Sequence, residues 1–285
     1  MDSYADLIAE GRADERRLVL VEREGERATV TLSDPERLNP LSAGLMLQLL
    51  DALAEVDEDP AVRAVILTGA DPAFCSGGDL EMIASGTRNV RDGAREVDTT
   101  TPWRWIRNQF GGVARRIATS DKTFVAAVNG PAAGVGLAFA LACDVILASD
   151  RAVLVPAFGK LGLVPEVGTS WALTRRLGYH GAYSFYLRGE HVDAERALQM
   201  GLVEEVCPHD ELLATAARWC DRVIAMPPHA PEMTKALMRA AVDAPWDQSM
   251  KLEEFAEANC FSTAALEQAA AKLLDRARRA GGPDS

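Results

Sequence analysis

Residues 124–148 read FVAAVNGPAAGVGLAFALACDVILA, and this stretch decides the fold. It opens with an apolar run of strand length, Phe124 to Val128, and passes through a glycine-rich turn into an apolar helix. It closes with a second apolar run, Val145 to Ala148. A strand, a helix and another strand in this order predict a βαβ unit. Because the two runs carry no polar residue, we expect a parallel sheet covered by helices.

The chain before this stretch follows the same alternation. Residues 18–32 contain two β runs around Glu24-Gly25-Glu26, which predicts a hairpin. Ser42 can cap a helix with one apolar face, and Asp59-Pro60 should end that helix. Ala64 to Leu67 is a further short apolar run, typical of a buried strand. The first half of the chain therefore belongs to the α/β class.

The chain beyond residue 168 is almost wholly helical in its pattern. Several helical segments end at a glycine suited to a C-cap, and Pro227-Pro228 precede two Ala-rich amphipathic helices predicted at 231–242 and 247–279. We therefore predict three parts: an N-terminal extension over residues 1–17, an α/β core over residues 18–206, and a helical C-terminal region over residues 207–285.

A polar, charged segment separates the third predicted strand from the next helix. Residues 87–100 read TRNVRDGAREVDTT and show no periodicity, so we predict a mobile loop there. A helix from Trp103 to Ala118 should follow it. Trp103 and Trp105 are expected in the core, with an acyl pocket as the alternative.

Composition excludes several classes of function. The 285 residues carry a formal net charge of -12 without a basic stripe, which argues against nucleic acid and anionic membranes as partners. No apolar run reaches the roughly 18 residues of a membrane span, and the start lacks a signal-peptide pattern, so we expect a cytoplasmic protein. The five cysteines and four histidines lack metal-ligand spacing. We therefore expect reduced thiols and no metal site.

Two glycine-bearing turns are the first candidates for a catalytic site. Residues 74–80, FCSGGDL, and residues 129–136, NGPAAGVG, each follow a predicted strand and open a helix. Such turns leave backbone N–H groups free, and two converging donors would stabilise a carbonyl oxygen that becomes negative during a reaction. Taken alone, each turn is also explained by tight packing at a strand-to-helix corner.

Other motifs fail on spacing. No GxxxxGK[ST] phosphate loop is present, and the glycines at 130, 134 and 136 do not form GxGxxG. Ser76 does not lie in GxSxG, and Cys75 has no histidine nearby in sequence to activate it. These patterns disfavour nucleotide binding and nucleophilic catalysis.

Together with residues 158–166, FGKLGLVPE, and residues 192–206, VDAERALQMGLVEEV, the two turns resemble the crotonase superfamily, the enoyl-CoA hydratase/isomerases. The resemblance extends from about residue 18 to residue 275. It implies a crotonase (ClpP-like) spiral of ββα units with a helical C-terminal trimerisation region. It also implies a homotrimer or a dimer of trimers, an acyl-CoA thioester as substrate, and no cofactor apart from the coenzyme A of that substrate.

The resemblance assigns roles to the turn residues. The two oxyanion N–H groups would come from Ser76 and Val135. The adenine end of coenzyme A would lie along the first turn, near Phe74, Gly78 and Leu80. Asp79 and Glu81 are expected to belong to a helix start rather than to touch substrate.

The positions at which members of this family carry acidic residues narrow the range of possible reactions. Hydratases of this family use two glutamates, and the corresponding positions here are Ala138 and Phe158, which would line the substrate but cannot move a proton. Glu166 remains, at a position where similar enoyl-CoA isomerases carry Glu or Asp. Asp144 and Glu190 are weaker candidates, expected to bond backbone donors and to face solvent respectively. We hypothesise that Phe158, Leu163 and Trp171 raise the pKa of Glu166 toward neutrality.

Three functions stay open at this point. The first is an isomerase that converts 3-enoyl-CoA to 2-enoyl-CoA with Glu166 as the proton carrier. The second is a crotonase-type hydratase, or another lyase, that uses a different acid. The third is a protein that binds acyl-CoA without turning it over. The dipole of a following helix also favours an acid at Glu166, so position alone does not decide among them.

Overall fold

The computed structural model describes residues 3–84 and 100–280, and the side chains of these residues up to 275. Contacts divide the chain into two compact units, Met1–Arg222 and Val223–Ser285. Residues 207–222 belong to the first unit, where Leu212, Ala216 and Cys220 are buried. The predicted division into three parts stays a prediction. The boundary between the two compact units lies after Arg222, whereas the predicted boundary of the C-terminal region lies after residue 206.

The first unit contains two sheets. The larger has the strand order β1-β2-β3-β4-β6-β9, and the smaller has the order β5-β7-β8. The hairpin β1–β2 is antiparallel, whereas β2 to β9 in the larger sheet pair in parallel. The predicted hairpin and parallel sheet are thereby confirmed. The strands are β1 Val19–Glu24, β2 Arg27–Leu32, β3 Ala64–Gly69, β4 Thr123–Val128, β5 Pro131–Ala133, β6 Val145–Ser149, β7 Val153–Val155, β8 Val192–Asp193 and β9 Glu205–Cys207.

Helices alternate with these strands along the chain and continue to residue 280. Their bounds are α1 Tyr4–Ala13, α2 Ala43–Glu58, α3 Thr100–Trp105, α4 Gly111–Thr119, α5 Val135–Ala142, α6 Thr169–Arg188, α7 Ala194–Met200, α8 Leu212–Ile224, α9 His229–Ala241, α10 Trp246–Cys260 and α11 Ala264–Ala280. None of the helices in the described ranges is both long and apolar enough to span a bilayer.

Helix α2 illustrates how local sequence forms these elements. The Ser42 side chain accepts a hydrogen bond from the Leu45 N–H and so satisfies a donor at the start of the helix. Every fourth residue then lies on one face, and that face is fully buried. The members of this face are Leu45, Leu49, Leu53 and Val56.

Two helix predictions were wrong in their bounds. The helix expected from Trp103 to Ala118 is divided into α3 and α4 by a π-helical turn at Ile106–Phe110. The helices expected at 231–242 and 247–279 are three, α9, α10 and α11. Of the mobile loop predicted at residues 87–100, residues 87–99 lie outside the described residues, and Thr100 is the first residue of α3.

The second unit consists of the last helices. Helices α9 and α10 contain no buried residue, and large apolar side chains on them are exposed, such as Met238, Trp246 and Phe255. A role for this region in trimer formation stays a prediction.

Candidate active site

Strands β3 and β4 are parallel neighbours, so their carboxyl ends meet at one edge of the larger sheet. The two glycine-bearing turns begin at this edge, because each follows one of these strands. We call residues 70–79 the first turn and residues 129–136 the second turn.

The second turn presents helix-start donors. Gly134 has a φ of 52°, a left-handed value that glycine adopts readily, and α5 begins at the next residue. The first N–H groups of a helix have no partner within the helix. Within the described residues, the Val135 N–H has no backbone acceptor outside helices and strands. The structure thus leaves available the donor that the resemblance implies.

Hydrogen bonds join the two turns side by side. The Phe74 and Cys75 N–H groups both donate to the Pro131 carbonyl, at 3.1 and 3.0 Å, and the Ala133 N–H donates to the Cys75 carbonyl at 2.9 Å. The first turn therefore extends the smaller sheet by a short parallel bridge.

Glycines allow this close approach. A Cβ atom on Gly77 would lie 2.7 Å from the Ala133 carbonyl oxygen and 3.8 Å from the Val135 nitrogen. A Cβ atom on Gly136 would lie 2.6 Å from the Cys75 carbonyl oxygen. Both distances to oxygen are too short for a side chain, so the backbones of the two turns are in direct contact.

The structure corrects the assignment of Ser76 as an oxyanion donor. Its N–H donates to the Leu38 carbonyl at 2.9 Å, and a backbone N–H has only one hydrogen to give. Gly78, two residues later, has no backbone acceptor recorded for its N–H within the described residues. Gly78 is therefore the available donor in this part of the first turn.

The other residues expected along the first turn differ in exposure. Phe74 is fully buried in the hydrophobic core, so its side chain does not meet a ligand, whereas Leu80 is 66% exposed. Asp79 is a helix start, as expected: its Oδ1 accepts hydrogen bonds from the N–H groups of Glu81 and Met82. Phe74 thus belongs to the core, which differs from the expectation that it contacts substrate.

Glu166 occupies an unusual environment. Its Oε2 atom is shielded from solvent and has no hydrogen-bond partner within the described residues. Burial penalises the charged form and raises the pKa of Glu166 to about 7. The next residue, Val167, has a φ of 58°, which is unfavourable for a β-branched residue and typical of strain at functional sites.

The three side chains proposed to surround Glu166 differ in their own exposure. Phe158 is buried, whereas Leu163 and Trp171 are each about 40% exposed. The Arg175 guanidinium lies over the Trp171 ring, 4.3 Å from its centroid. The direction of the pKa shift agrees with the hypothesis, and the contribution of each of these side chains stays a prediction.

Ala138 and Phe158 are both buried, and both are apolar. Phe158 approaches the second turn, because a Cβ atom on Gly134 would lie 4.0 Å from Phe158 Cε1. An aromatic ring therefore lies beside the second turn at a position where the resemblance would place a hydratase carboxylate.

Sequence reasoning missed the polar side chains that support the turns. Asn39 Nδ2 donates to the carbonyls of Ala70 and Ala73, at 2.8 and 2.7 Å. Asn129 Nδ2 donates to Asp71 Oδ1 at 2.8 Å. The only sequence signal is the type of residue, since asparagine in a loop readily bonds to backbone groups.

The remaining candidates have structural roles. Asp144 accepts a hydrogen bond from the Phe124 N–H at 2.9 Å, and Glu190 is exposed, as expected for both. Trp105 is buried, but Trp103 is 56% exposed, so the core expectation holds for Trp105 alone.

Burial raises the pKa of the Cys75 thiol to about 12, which keeps it protonated. Within the described ranges, no three His, Cys, Asp or Glu residues cluster to hold a metal ion.

Comparison with known proteins agrees with this geometry. The family model described as enoyl-CoA hydratase/isomerase matches residues 22–278. The 1,2-epoxyphenylacetyl-CoA isomerase of Escherichia coli is 33% identical over 229 residues, which cover 79% of this chain and 83% of that protein. A putative enoyl-CoA hydratase of Thermus thermophilus is 34% identical over 251 residues, which cover 88% and 95% of the two chains.

A solved structure supports the fold. The crystal structure of a monofunctional enoyl CoA isomerase from M. smegmatis has a TM-score of 0.68 and 34% sequence identity, over 82% of this chain and 99% of that one. The crotonase fold predicted from the sequence is thereby confirmed, and the relatives identify this protein as an enzyme of the crotonase type. The chain belongs to the enoyl-CoA hydratase/isomerase family.

Proposed function

We propose that this enzyme moves a double bond in an acyl-CoA thioester, from 3-enoyl-CoA to 2-enoyl-CoA, with Glu166 as the single proton carrier. The observation that carries the proposal is the Glu166 carboxyl group, whose shielded Oε2 has no hydrogen-bond partner in the part of the chain that the structure describes and whose pKa burial raises to about 7. A base with a pKa near the working pH transfers protons in both directions most effectively.

In the proposed mechanism, the Glu166 carboxylate takes a proton from C2 of the substrate. The electrons move to the thioester oxygen, and the double bond forms again between C2 and C3 when Glu166 returns the proton at C4. The negative oxygen lies between the N–H groups of Gly78 and Val135, of which Gly78 replaces Ser76. The reaction needs no metal and no redox cofactor, because the proton and the charge are both handled by these groups.

The expected rate contributions agree with a mechanism that combines one general base with oxyanion stabilisation. A thioester C2–H is a far weaker acid than a carboxylic acid of ordinary pKa about 4.3, so its removal requires stabilisation of the enolate. One oxyanion donor contributes roughly 10²- to 10³-fold in rate. A placed general base contributes a further roughly 10²- to 10⁴-fold. The raised pKa makes Glu166 a stronger base than an ordinary carboxylate.

Ala138 and Phe158 support isomerisation over hydration. Hydration needs a water molecule held and activated on one side of the double bond, and neither side chain can accept its proton. Since some relatives are described as hydratases, hydration through another acid is the second candidate. The Escherichia coli relative suggests phenylacetyl-CoA derivatives as a substrate class to include in the test.

The test compares wild type with Glu166→Gln, using 3-enoyl-CoA and 2-enoyl-CoA and measuring isomerisation and hydration separately. We expect isomerisation in the wild type and a loss of about 10²- to 10⁴-fold in the variant. We also expect the wild-type rate to fall as the pH drops below about 7, because the base must be ionised. Glu190→Gln, at an exposed position, is the control and should retain activity.

Three results would contradict the proposal. Isomerisation that survives in Glu166→Gln would mean that another group carries the proton. Hydration in the same variant would assign the hydratase reaction to another acid. Binding of acyl-CoA without turnover, across both substrates and phenylacetyl-CoA derivatives, would indicate a binding protein.

A further inference from the structure

Residues 34–41, which we call the brace, lie against the first turn in a conformation that their sequence alone does not favour. Leu38 and Asn39 have φ values of 64° and 54°, in the left-handed region. For a leucine in particular this region is unfavourable, and it persists only where surrounding structure fixes it. The contacts of the brace explain what fixes it.

The brace contacts the first turn along most of its length. Asn39 Nδ2 donates to the Ala70 and Ala73 carbonyls. The Leu38 carbonyl accepts from the Ser76 N–H at 2.9 Å, and the Leu41 N–H donates to the Gly77 carbonyl at 2.8 Å. The backbone just before Gly78 is therefore held by two hydrogen bonds to the brace.

Arg37 holds the residue just after Gly78. Its Nη2 atom donates to Asp79 Oδ2 at 2.7 Å, while the other carboxylate oxygen, Oδ1, accepts from the Glu81 N–H at 2.8 Å. The Asp79 side chain is only 8% exposed, so its charge depends on Arg37 for a partner. One carboxylate thus connects the brace to the helix start that follows the first turn.

We propose that Arg37 is a positioning residue for the oxyanion site. Through Asp79 it fixes the direction of the Gly78 N–H and so acts on the chemical step rather than on substrate binding. This inference rests on the proposed function, because it takes Gly78 as an oxyanion donor. Removal of Arg37 takes the ion-pair partner from the buried Asp79 carboxylate and loosens the helix start that follows Gly78. The Gly78 N–H then shifts with it, because the peptide unit that carries this N–H, between Gly77 and Gly78, keeps only its anchor on the other side, the hydrogen bond from the Leu41 N–H to the Gly77 carbonyl.

The experiment uses the full-length protein with Arg37→Met, Arg37→Lys and Asp79→Asn, and two measurements. The first is the kcat and KM of turnover. The second is the infrared stretch of the thioester carbonyl in bound cinnamoyl-CoA, which falls in frequency when hydrogen bonds polarise the carbonyl. Asp79→Asn keeps an oxygen that can accept from the Glu81 N–H but removes the charge.

We expect Arg37→Met to lower kcat by about 10- to 100-fold with KM changed less than about threefold, as a misplaced catalytic group does. In this variant, the stretching frequency of the thioester carbonyl of bound cinnamoyl-CoA should return toward its value in solution. Arg37→Lys should recover part of the kcat and part of the frequency shift. The double variant Arg37→Met with Asp79→Asn should be no worse than Arg37→Met alone, since both act through one contact.

Arg23→Met is the matched control. Arg23 has a similar side-chain exposure of 38% against 36% for Arg37, and it pairs with Glu55 at 2.6 Å, away from both turns. This variant should leave kcat and the carbonyl stretch unchanged. Melting temperatures of all variants separate a local effect from general loss of folding.

The outcomes distinguish the two proposals. A wild-type carbonyl that is not shifted would overturn the oxyanion site and, with it, this inference. A shifted wild-type carbonyl that stays shifted in both Arg37→Met and Asp79→Asn would overturn the role of Arg37 alone. A raised KM with unchanged kcat in Arg37→Met would also overturn it, because Arg37 would then act in substrate binding.

Discussion

The two glycine-bearing turns are held in different ways. The second turn lies between strand β4 and helix α5 and contains β5, so regular secondary structure fixes most of its backbone. The first turn also lies between a strand, β3, and a helix that begins at Leu80, but within it the described residues show only isolated bridges, from Cys75 to β5 and from Gly78 to Leu41. Its shape depends on side chains and backbone groups of residues 34–41. A donor at a helix start follows from local structure, whereas a donor in the first turn depends on contacts between residues distant in sequence.

This difference explains why one of the two proposed oxyanion donors was easier to assign from the sequence than the other. Val135 is the first residue of a helix, and its N–H has no intrahelical partner in any fold that contains this helix. The resemblance to the family assigned the first-turn donor to Ser76 and placed Gly78 only along the substrate. Only the position of the Leu38 carbonyl distinguishes them, since it occupies the Ser76 N–H.

The largest effect is expected where the two turns touch. Gly77→Ala places a Cβ atom 2.7 Å from the Ala133 carbonyl oxygen, at a φ of 94° that disfavours a side chain. We expect a loss of about 3 kcal/mol in the free energy of unfolding, with loss of activity. Chemical denaturation and the isomerase assay measure the two effects.

Gly25→Ala is the control for that prediction. Gly25 also has a positive φ, of 58°, but nothing lies within 4 Å of the added atom. The difference between the two variants measures crowding between the turns. Equal destabilisation by both variants would mean that the turns are not in close contact.

A comparison of two asparagines tests the difference between the turns directly. Asn39→Ala removes two hydrogen bonds to first-turn carbonyls and one from the Asp34 N–H, all at shielded positions. We expect a loss of about 2 to 3 kcal/mol. Asn129→Ala removes the bond to the more exposed Asp71 and a longer one, of 3.3 Å, to the Ala73 carbonyl, which still accepts from Asn39, and we expect about 1 kcal/mol. Denaturant titration of both variants checks the order, and the reverse order would contradict the account given above.

A further effect, smaller than those at Gly77 and Asn39, concerns stability at Glu166. Its pKa in the folded state, about 7, exceeds the unfolded value of about 4.5, so its contribution to stability is fully present below pH 4.5 and lost as the pH rises through 7. Glu166→Gln removes this ionisation. We expect the variant to gain about 1 to 2 kcal/mol relative to wild type between pH 5 and pH 8, after allowance for partial exposure.

Urea unfolding of both proteins at the two pH values measures this gain. A difference that does not change with pH would mean that the carboxyl group titrates normally. Such a result would also weaken Glu166 as the base, because the proposed mechanism depends on its raised pKa.

Much of the fold could be predicted from local patterns. The hairpin of residues 18–32, the helix capped by Ser42 and the three apolar strands depend on neighbouring residues alone, and all were confirmed. The division of the helix from Trp103 to Ala118 was missed, because its sequence contains no proline or turn signal at Ile106–Phe110. The pattern of apolar and polar residues at these positions does not predict a π-helical turn.

The candidate site could be predicted only where its chemistry lies in the residue type. Glu166 was identified because a carboxylate at that position matches a family pattern, and Ala138 and Phe158 because they lack one. Arg37 and Asn39 were missed, since a charged or amide residue in a loop usually faces solvent. Their partners, Asp79 and the Ala70 and Ala73 carbonyls, lie more than thirty residues further along the chain.

The sequence by itself determined the order of strands and helices, the glycines that allow the turns to touch, and the absence of carboxylates at Ala138 and Phe158. The tertiary structure decided which N–H of the first turn stays available, and how far the pKa of Glu166 rises. The physical reason is that periodicity and residue type act over a few neighbouring residues. The availability of a donor and the desolvation of a carboxylate depend on atoms that folding brings from elsewhere in the chain.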